Sequence, residues 1–251
     1  MPKLAKIDIV KELRKLFEKG YVKSLRSNDT GIGYTLETLL KIKENNSGEP
    51  DFEDTSLKIL AELKSQRETA TSRVTLMTKT PNWNPLKPKQ IIERFGYRDI
   101  EGRKALKISL TTNNFNAQGF KLQVDKATKR LNIFQREFGI VAYFDIDELM
   151  QKLSDKIYKN LVLVLADSKK KNGKEYFRYK KATLLQELSE ESFETLFNDG
   201  LIVWEFRMHI KPDGSVRDHG PGFRISKNHI SKLYAKSKVI FDGSKSSAKQ
   251  K

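Results

Sequence analysis

Pro50-Asp51-Phe52, followed by Ala61-Glu62-Leu63-Lys64-Ser65, is the stretch on which the reading of the fold turns. If residues 59–64 form a strand, successive side chains point to opposite faces. Ile59, Ala61 and Leu63 then enter a core. Glu62 and Lys64 share the other face, their Cα atoms roughly 6–7 Å apart at ~3.3 Å per residue. Asp51 joins them only if the chain turns back in between. Two carboxylates suit a hard divalent cation such as Mg²⁺, which takes oxygen ligands. A lysine beside them can hold a phosphate oxygen or orient a water, and that combination serves phosphodiester hydrolysis. The competing reading is a solvated strand face, because Glu-x-Lys alternation arises by chance in many strands.

Working outward, the 251-residue chain is long enough to bury a sizeable core. It has no run of some 18 apolar residues and so no predicted membrane span. Its start, Met1-Pro2-Lys3-Leu4-Ala5-Lys6, lacks the apolar centre of a secretory signal. The absence of cysteine excludes disulfides, thiol catalysis and thiolate metal sites together. These features fit a bacterial cytoplasmic protein. Lys+Arg 48 against Asp+Glu 32 gives a net charge of +16 and a pI near 9.7. That excess attracts polyanions and gains from releasing the counterions condensed on phosphates. Double-stranded DNA is the favoured partner over a merely solubilising surface.

Along the chain, helical spacing of Ile9, Val10, Leu13, Leu16 and Phe17 predicts a helix near 6–19, ending at Gly20. Asn28 to Gly33 reads as a turn-rich loop before a short helix with Leu36, Leu39 and Leu40 on one side and Glu37 on another. Asn45 to Pro50 reads as a loop that delivers Asp51. Strands are expected at 73–78, 105–112, 120–124 and 131–134, and a helix at 90–95. Asp145 caps a further helix with Glu148 at the capping-box position. The apolar run Leu161–Ala166 reads as a strand buried on both faces. Asp167–Lys174 reads as a lysine-rich loop and Glu175–Lys181 as an exposed strand. A helical patch around Phe193, Leu196 and Phe197 precedes the strand Leu201–Ile210, with Trp204, Phe206 and Met208 on one side. A loop from Val216 leads into a strand at Ile225, and a helix near 227–235 and a strand at 239–241 follow. Residues 243–251 have the composition of a disordered tail.

His209, His219 and His229, spread over a predicted strand, loop and helix, have no zinc-ligand spacing. The segment Arg217-Asp218-His219-Gly220-Pro221-Gly222-Phe223-Arg224 is more specific. Arginine binds guanine O6 and N7 bidentately, histidine can donate to either atom, and Asp218 could accept from a cytosine amino group. A basic turn is the plainer alternative.

The succession Thr30 to Leu40, then Pro50-Asp51-Phe52, then Glu62-Leu63-Lys64, resembles the MvaI/BcnI group of restriction endonucleases and, more distantly, the MutH mismatch-repair nickase. Both lie in the PD-(D/E)xK nuclease superfamily. The likeness continues through Val74–Lys79, Phe95-Gly96-Tyr97, Leu161–Ser168, Asp218-His219-Gly220 and Phe223-Arg224-Ile225, and so covers nearly the whole chain in order. The resemblance implies an α/β (α+β) fold, a mixed sheet flanked by helices in two lobes around a DNA cleft. It implies one endonuclease domain over 1–242, catalytic over roughly 1–165 and DNA-recognising over roughly 166–242. It implies Mg²⁺-dependent hydrolysis, with Asp51 and Glu62 as metal ligands, Lys64 positioning the water and Glu37 supporting the site. Arg217, Asp218, His219 and Arg224 become the residues facing DNA bases. Relatives of this kind act as monomers on short GC-rich, near-palindromic sites such as CC-N-GG, cutting one strand at a time, with a cognate methyltransferase encoded nearby. A repair nickase and a decayed DNA-binding protein are the alternative functions.

One departure concerns spacing: ten residues separate Asp51 from Glu62 (62 − 51 − 1). A turn near Thr55–Lys58 could fold Asp51 back opposite Glu62, or Asp54 could replace it. Ser56-Leu57-Lys58 is a third candidate motif, disfavoured because Lys64 to Lys79 follows the family without a gap.

Overall fold

The structure, a computed structural model, describes residues 4–43, 50–156 and 160–246. The expected loop at Asn45–Pro50 therefore lies mostly outside the described residues. The first segment runs β1 (Ala5–Ile7), α1 (Ile9–Glu18), β2 (Val22–Lys23), α2 (Gly31–Leu39), β3 (Phe52–Asp54) and β4 (Ile59–Arg67). The Asp8 carboxylate caps α1 by accepting from the Lys11 N–H at 2.9 Å, so the helix starts later than its apolar spacing suggests. Next come β5 (Arg73–Thr78), α3 (Pro88–Phe95), β6 (Tyr97–Arg98), β7 (Lys104–Leu110), β8 (Phe120–Asp125), β9 (Arg130–Gln135), β10 (Gly139–Asp145) and α4 (Ile146–Lys156). The chain continues with β11 (Asn160–Lys171), β12 (Lys174–Leu188), α5 (Glu190–Asn198), β13 (Ile202–Ile210), β14 (Val216–Asp218) and β15 (Gly222–Ser226). A 3-10 turn (Ile230–Leu233), β16 (Tyr234–Asp242) and α6 (Gly243–Ser246) end it.

Two compact units form, and each draws on separated pieces of chain. One holds residues 1–72, 154–189 and 234–251; the other holds 73–153 and 190–233. A single cut near residue 165 would fall inside β11, so the units do not follow the linear division expected from sequence.

The first unit is built on a seven-stranded mixed sheet ordered β1-β3-β4-β11-β12-β16, with β2 added to β12. β4 runs parallel to β11, pairing Glu62 with Leu161 and Lys64 with Leu163. Leu161, Val162, Leu163 and Val164 are all buried, as the unbroken apolar run requires. α1 and α2 share a core with this sheet through Ile9, Leu13, Leu36, Ala61, Leu63 and Val164. Three sequence expectations are corrected here. The lysine-rich stretch 167–174 is not a loop but the far end of a hairpin, its ladder continuing from Asp167–Arg178 to Lys171–Lys174. Asn172 and Gly173 both take positive φ (50° and 69°), which makes the tight turn such a hairpin needs. The predicted helix at 227–235 shrinks to the 3-10 turn, and the last strand begins at Tyr234 because β16 pairs with β12 from Leu188 to Lys181. Residues 243–246 form a short helix rather than opening a tail; 247–251 lie outside the described residues.

The second unit holds a six-stranded sheet ordered β5-β15-β13-β7-β6, with β14 on β13, and a three-stranded sheet β10-β9-β8. Its core is aromatic: Phe120, Phe144, Trp204, Phe206 and Phe223 are buried, and Trp204 and Phe206 meet edge to face at 4.6 Å between centroids. No helix among the described residues is long and apolar enough to cross a membrane.

Candidate functional site

The spacing problem between Asp51 and Glu62 is solved by a hairpin. β3 pairs antiparallel with β4 in the register Phe52–Ala61, Glu53–Leu60 and Asp54–Ile59. The turn between them spans Thr55–Lys58, and Lys58 takes φ +54°. Continuing that register by one residue sets Asp51 opposite Glu62. The Asp51 N–H donates to the Ala61 carbonyl at 3.1 Å, and Asp51 Oδ2 accepts from the Leu63 N–H at 2.7 Å.

Asp51 thereby lies within hydrogen-bonding reach of the Glu62 carboxyl. Lys64 Nζ, two residues on and on the same face, contacts Glu62 Oε1. The Glu62 side chain is 12% exposed and that of Lys64 30%, so solvent still reaches the cluster. Burial, and next the charge of Glu62, push the Asp51 carboxyl up to about 6, against the opposing pull of the Leu63 N–H and the Lys64 ammonium. Two carboxyl groups in contact and partly desolvated repel one another when both ionise. A divalent cation with oxygen preference relieves that repulsion, so the donor set fits Mg²⁺.

Asp54 has a different task. Its Oδ1 accepts from Ser56 N–H (2.9 Å) and Leu57 N–H (2.7 Å), and its Oδ2 accepts from Ile9 N–H at 2.8 Å. At 1% exposure it ties the hairpin turn to the first turn of α1, and its pairing with Ile59 puts it on the face of Ala61 and Leu63, opposite that of Glu62. Ser56-Leu57-Lys58 forms that turn and presents no strand face. Glu37 sits on α2, on the sheet face of Ser65. A Cβ at Gly33 would lie 3.8 Å from both Glu37 Oε1 and Ser65 Oγ. No group of three His, Asp or Glu side chains that could hold a metal ion is gathered among the described residues, so Glu37 is not brought into one set with Asp51 and Glu62. Tyr234, which the sequence pattern puts in a helix, is buried; among the described residues its hydroxyl has no hydrogen-bond partner, and its pKa is pushed up by burial and then by the charge of Glu62.

The DNA-facing candidates fall on the second unit. Side chains directly opposite one another in an antiparallel pair share a face. Glu205 is opposite Ser109, Arg207 opposite Lys107, and His209 opposite both Ala105 and Arg217. Arg224 is opposite Val203 and Thr75, and Arg73 opposite Ser226. One face of the six-stranded sheet therefore carries Arg73, Lys107, Arg207, Arg217 and Arg224, with the aromatic core behind it. Glu205 holds two of them: Arg224 Nε at 3.0 Å and Arg73 at 3.2 Å. Arg224 is half-buried, and burial lowers its pKa while Glu205 holds it up. Asp218 pairs with Met208 instead and belongs to the opposite face. Its Oδ1 accepts from the Gly220 N–H at 3.0 Å, shaping the turn. Sequence reasoning named Arg217, His219 and Arg224 but missed Arg207 and His209, although both stand at the alternate positions of β13 to Trp204, Phe206 and Met208. The three histidines also differ from their predicted scatter, since His209 and His219 meet at 3.3 Å between ring nitrogens.

A second concentration of charge lies in the first unit, where Lys23, Arg26, Arg67, Lys170 and Lys174 line a cavity of about 650 Å³. Arg67 crosses it to Glu175 in a bidentate pair at 2.7 Å.

A mixed sheet whose strand carries a Glu-x-Lys pair opposite an aspartate has the architecture of a PD-(D/E)xK nuclease. The solved complex of the restriction endonuclease MvaI with its cognate DNA substrate matches at TM-score 0.75 and 30% identity, over 92% of this chain and 96% of that one. MvaI without DNA matches at TM-score 0.50 and 30% identity, over 92% and 95%. No curated protein sequence matches. The sequence pattern of the MvaI/BcnI restriction endonuclease family matches residues 10–234, and the chain belongs to that family of Type II site-specific deoxyribonucleases.

Proposed function

We propose that this endonuclease hydrolyses DNA with Mg²⁺ held by Asp51 and Glu62, acting as a monomer and cutting one strand at a time at a short GC-rich, near-palindromic site. The observation that carries the reading is the β3–β4 register, which sets Asp51 against Glu62 with Lys64 on the same face. The bound cation would supply Lewis-acid polarisation of the phosphate and a lowered pKa for a water. The chain's own residues do the remaining work. Lys64 places an ammonium where negative charge grows on the phosphate, and it orients the attacking water. Partial burial of the pair keeps these interactions strong. The basic cavity around Arg67 supplies affinity for backbone phosphates independent of sequence. Sequence is read from the basic sheet face, by Arg217, His219 and Arg224, with Arg207 beside them and Asp218 shaping the turn behind them.

Unmethylated plasmid incubated with Mg²⁺ tests this reading. Discrete fragments whose ends share one short sequence, absent with EDTA, are expected, with nicked circles preceding linear product. Absence of cleavage in Mg²⁺ and Mn²⁺ despite salt-dependent binding would replace it with a decayed DNA-binding protein. Nicked circles that never become linear would point to a nickase. Finding a methyltransferase gene beside its own would favour restriction over both alternatives.

A further inference from the structure

His209 and His219 form a pair whose inner member, His209, the function described so far leaves unused. His209 lies on β13 at 6% exposure, and its Nδ1 stands 3.3 Å from Nε2 of His219. The rings are 5.2 Å apart between centroids and tilted by 30°. The backbone N–H of His219 is tied to the Arg207 carbonyl at 2.9 Å, and Gly220 behind it takes φ +86°. His219 is thus fixed at its main chain and along one edge of its ring.

A contact between two ring nitrogens holds one proton: one atom donates and the other accepts. If His219 Nε2 carries it, His219 Nδ1 is left as an acceptor; if His209 Nδ1 carries it, His219 Nδ1 is a donor. The buried ring therefore decides which chemistry the outer ring offers. No Asp, Glu or third His stands among the described residues where it could complete a metal site with the pair.

We propose that His209 is a positioning residue that sets the ring orientation and the proton of His219 for contact with a DNA base edge. The inference rests on the reading of this sheet face as the one that meets DNA. The surroundings keep the pair neutral. Arg103, Lys107, Asp99 and Glu101 face it from β7 and the turn before it, Arg207 from β13 and Arg217 from β14. Burial first, and then the excess of cations, lower the pKa of both imidazoles below the ordinary histidine value. A proton added at His219 Nδ1 turns that acceptor into a donor and leaves the contact in place, whereas protons on both contact nitrogens break it.

Two isosteric variants separate this role from core packing. His209→Asn keeps a polar atom near the place of Nδ1, whereas His209→Gln moves it towards the place of Nε2. Cleavage rates would be measured between pH 5.5 and 8.5 on two duplexes, one bearing the sequence shared by the plasmid fragment ends and one with a single base pair exchanged. Loss of one hydrogen-bonded partner predicts that the Gln variant discriminates about tenfold less well, while the Asn variant stays within about threefold of wild type. The pH at which discrimination fails should move in the Gln variant alone, with affinity for the exchanged duplex unchanged. Gln and Asn variants that both behave as wild type, or that both fail alike, would overturn the role of His209. A wild-type enzyme that cuts both duplexes equally would instead overturn the DNA-reading assignment of the face, and the inference with it.

Discussion

Replacing Asp51 by Asn separates the catalytic role of this carboxylate from any structural one. Its pKa in the folded protein stands at about 6, against 3.8 in the unfolded chain. A folded value raised above the unfolded one means that the native state holds the proton more tightly. The associated stability is fully present below about pH 4 and is lost as pH rises to about 6, the window between the two values. Two units at 1.36 kcal/mol each make the ionised carboxylate cost the metal-free protein about 3 kcal/mol at most. Asparagine keeps an oxygen for the Leu63 N–H and carries no charge against Glu62. At pH 8 without metal, the Asp51→Asn protein should therefore be more stable than wild type, by up to about 3 kcal/mol, and melt some 5–10 °C higher. The difference should vanish towards pH 4. Thermal melting followed across pH 4–8, with and without Mg²⁺, measures it; Mg²⁺ should raise the melting temperature of wild type and leave the variant unmoved. A variant that melts below wild type by the same margin at every pH would refute the argument and make Asp51 a structural residue.

Other expectations follow from the same geometry. Asp54→Ala removes three bonds from backbone N–H groups to a buried carboxylate, and chemical denaturation should show a loss of roughly 3 kcal/mol or more. Its residual activity, measured on the folded fraction, should remain near wild type. Arg224→Ala should weaken binding to the recognised sequence by about 1–3 kcal/mol and relax specificity at one position, read by competition between duplexes. Charge reversal at Lys174 should weaken binding to all sequences alike and flatten its dependence on salt.

What could be read from sequence was whatever depends on alternation along one strand. Glu62 and Lys64 share a face because they are two apart, and the apolar run from Leu161 is buried because nothing polar interrupts it. What escaped depends on register between strands. The hairpin that sets Asp51 against Glu62 was one of three options until its pairing was known. Asp54 seemed interchangeable with Asp51 because both are aspartates near a turn, yet their backbone partners assign them opposite tasks. The stretch 167–174 looked like a loop because lysines are usually solvated, and a two-residue turn with exposed strands satisfies that equally. His209 and His219 are ten positions apart and meet only because β14 folds back on β13.

The claim that phosphodiester hydrolysis is carried out at Asp51, Glu62 and Lys64 is tested most directly by one comparison. Single-turnover cleavage of a duplex bearing the recognised sequence, in Mg²⁺, would be timed for wild type and Lys64→Ala, with binding to the same duplex measured in Ca²⁺. Loss of a charge that stabilises the transition state predicts cleavage slower by about 10²–10³-fold, with binding little changed. A Lys64→Ala enzyme that cuts as fast as wild type would contradict the account.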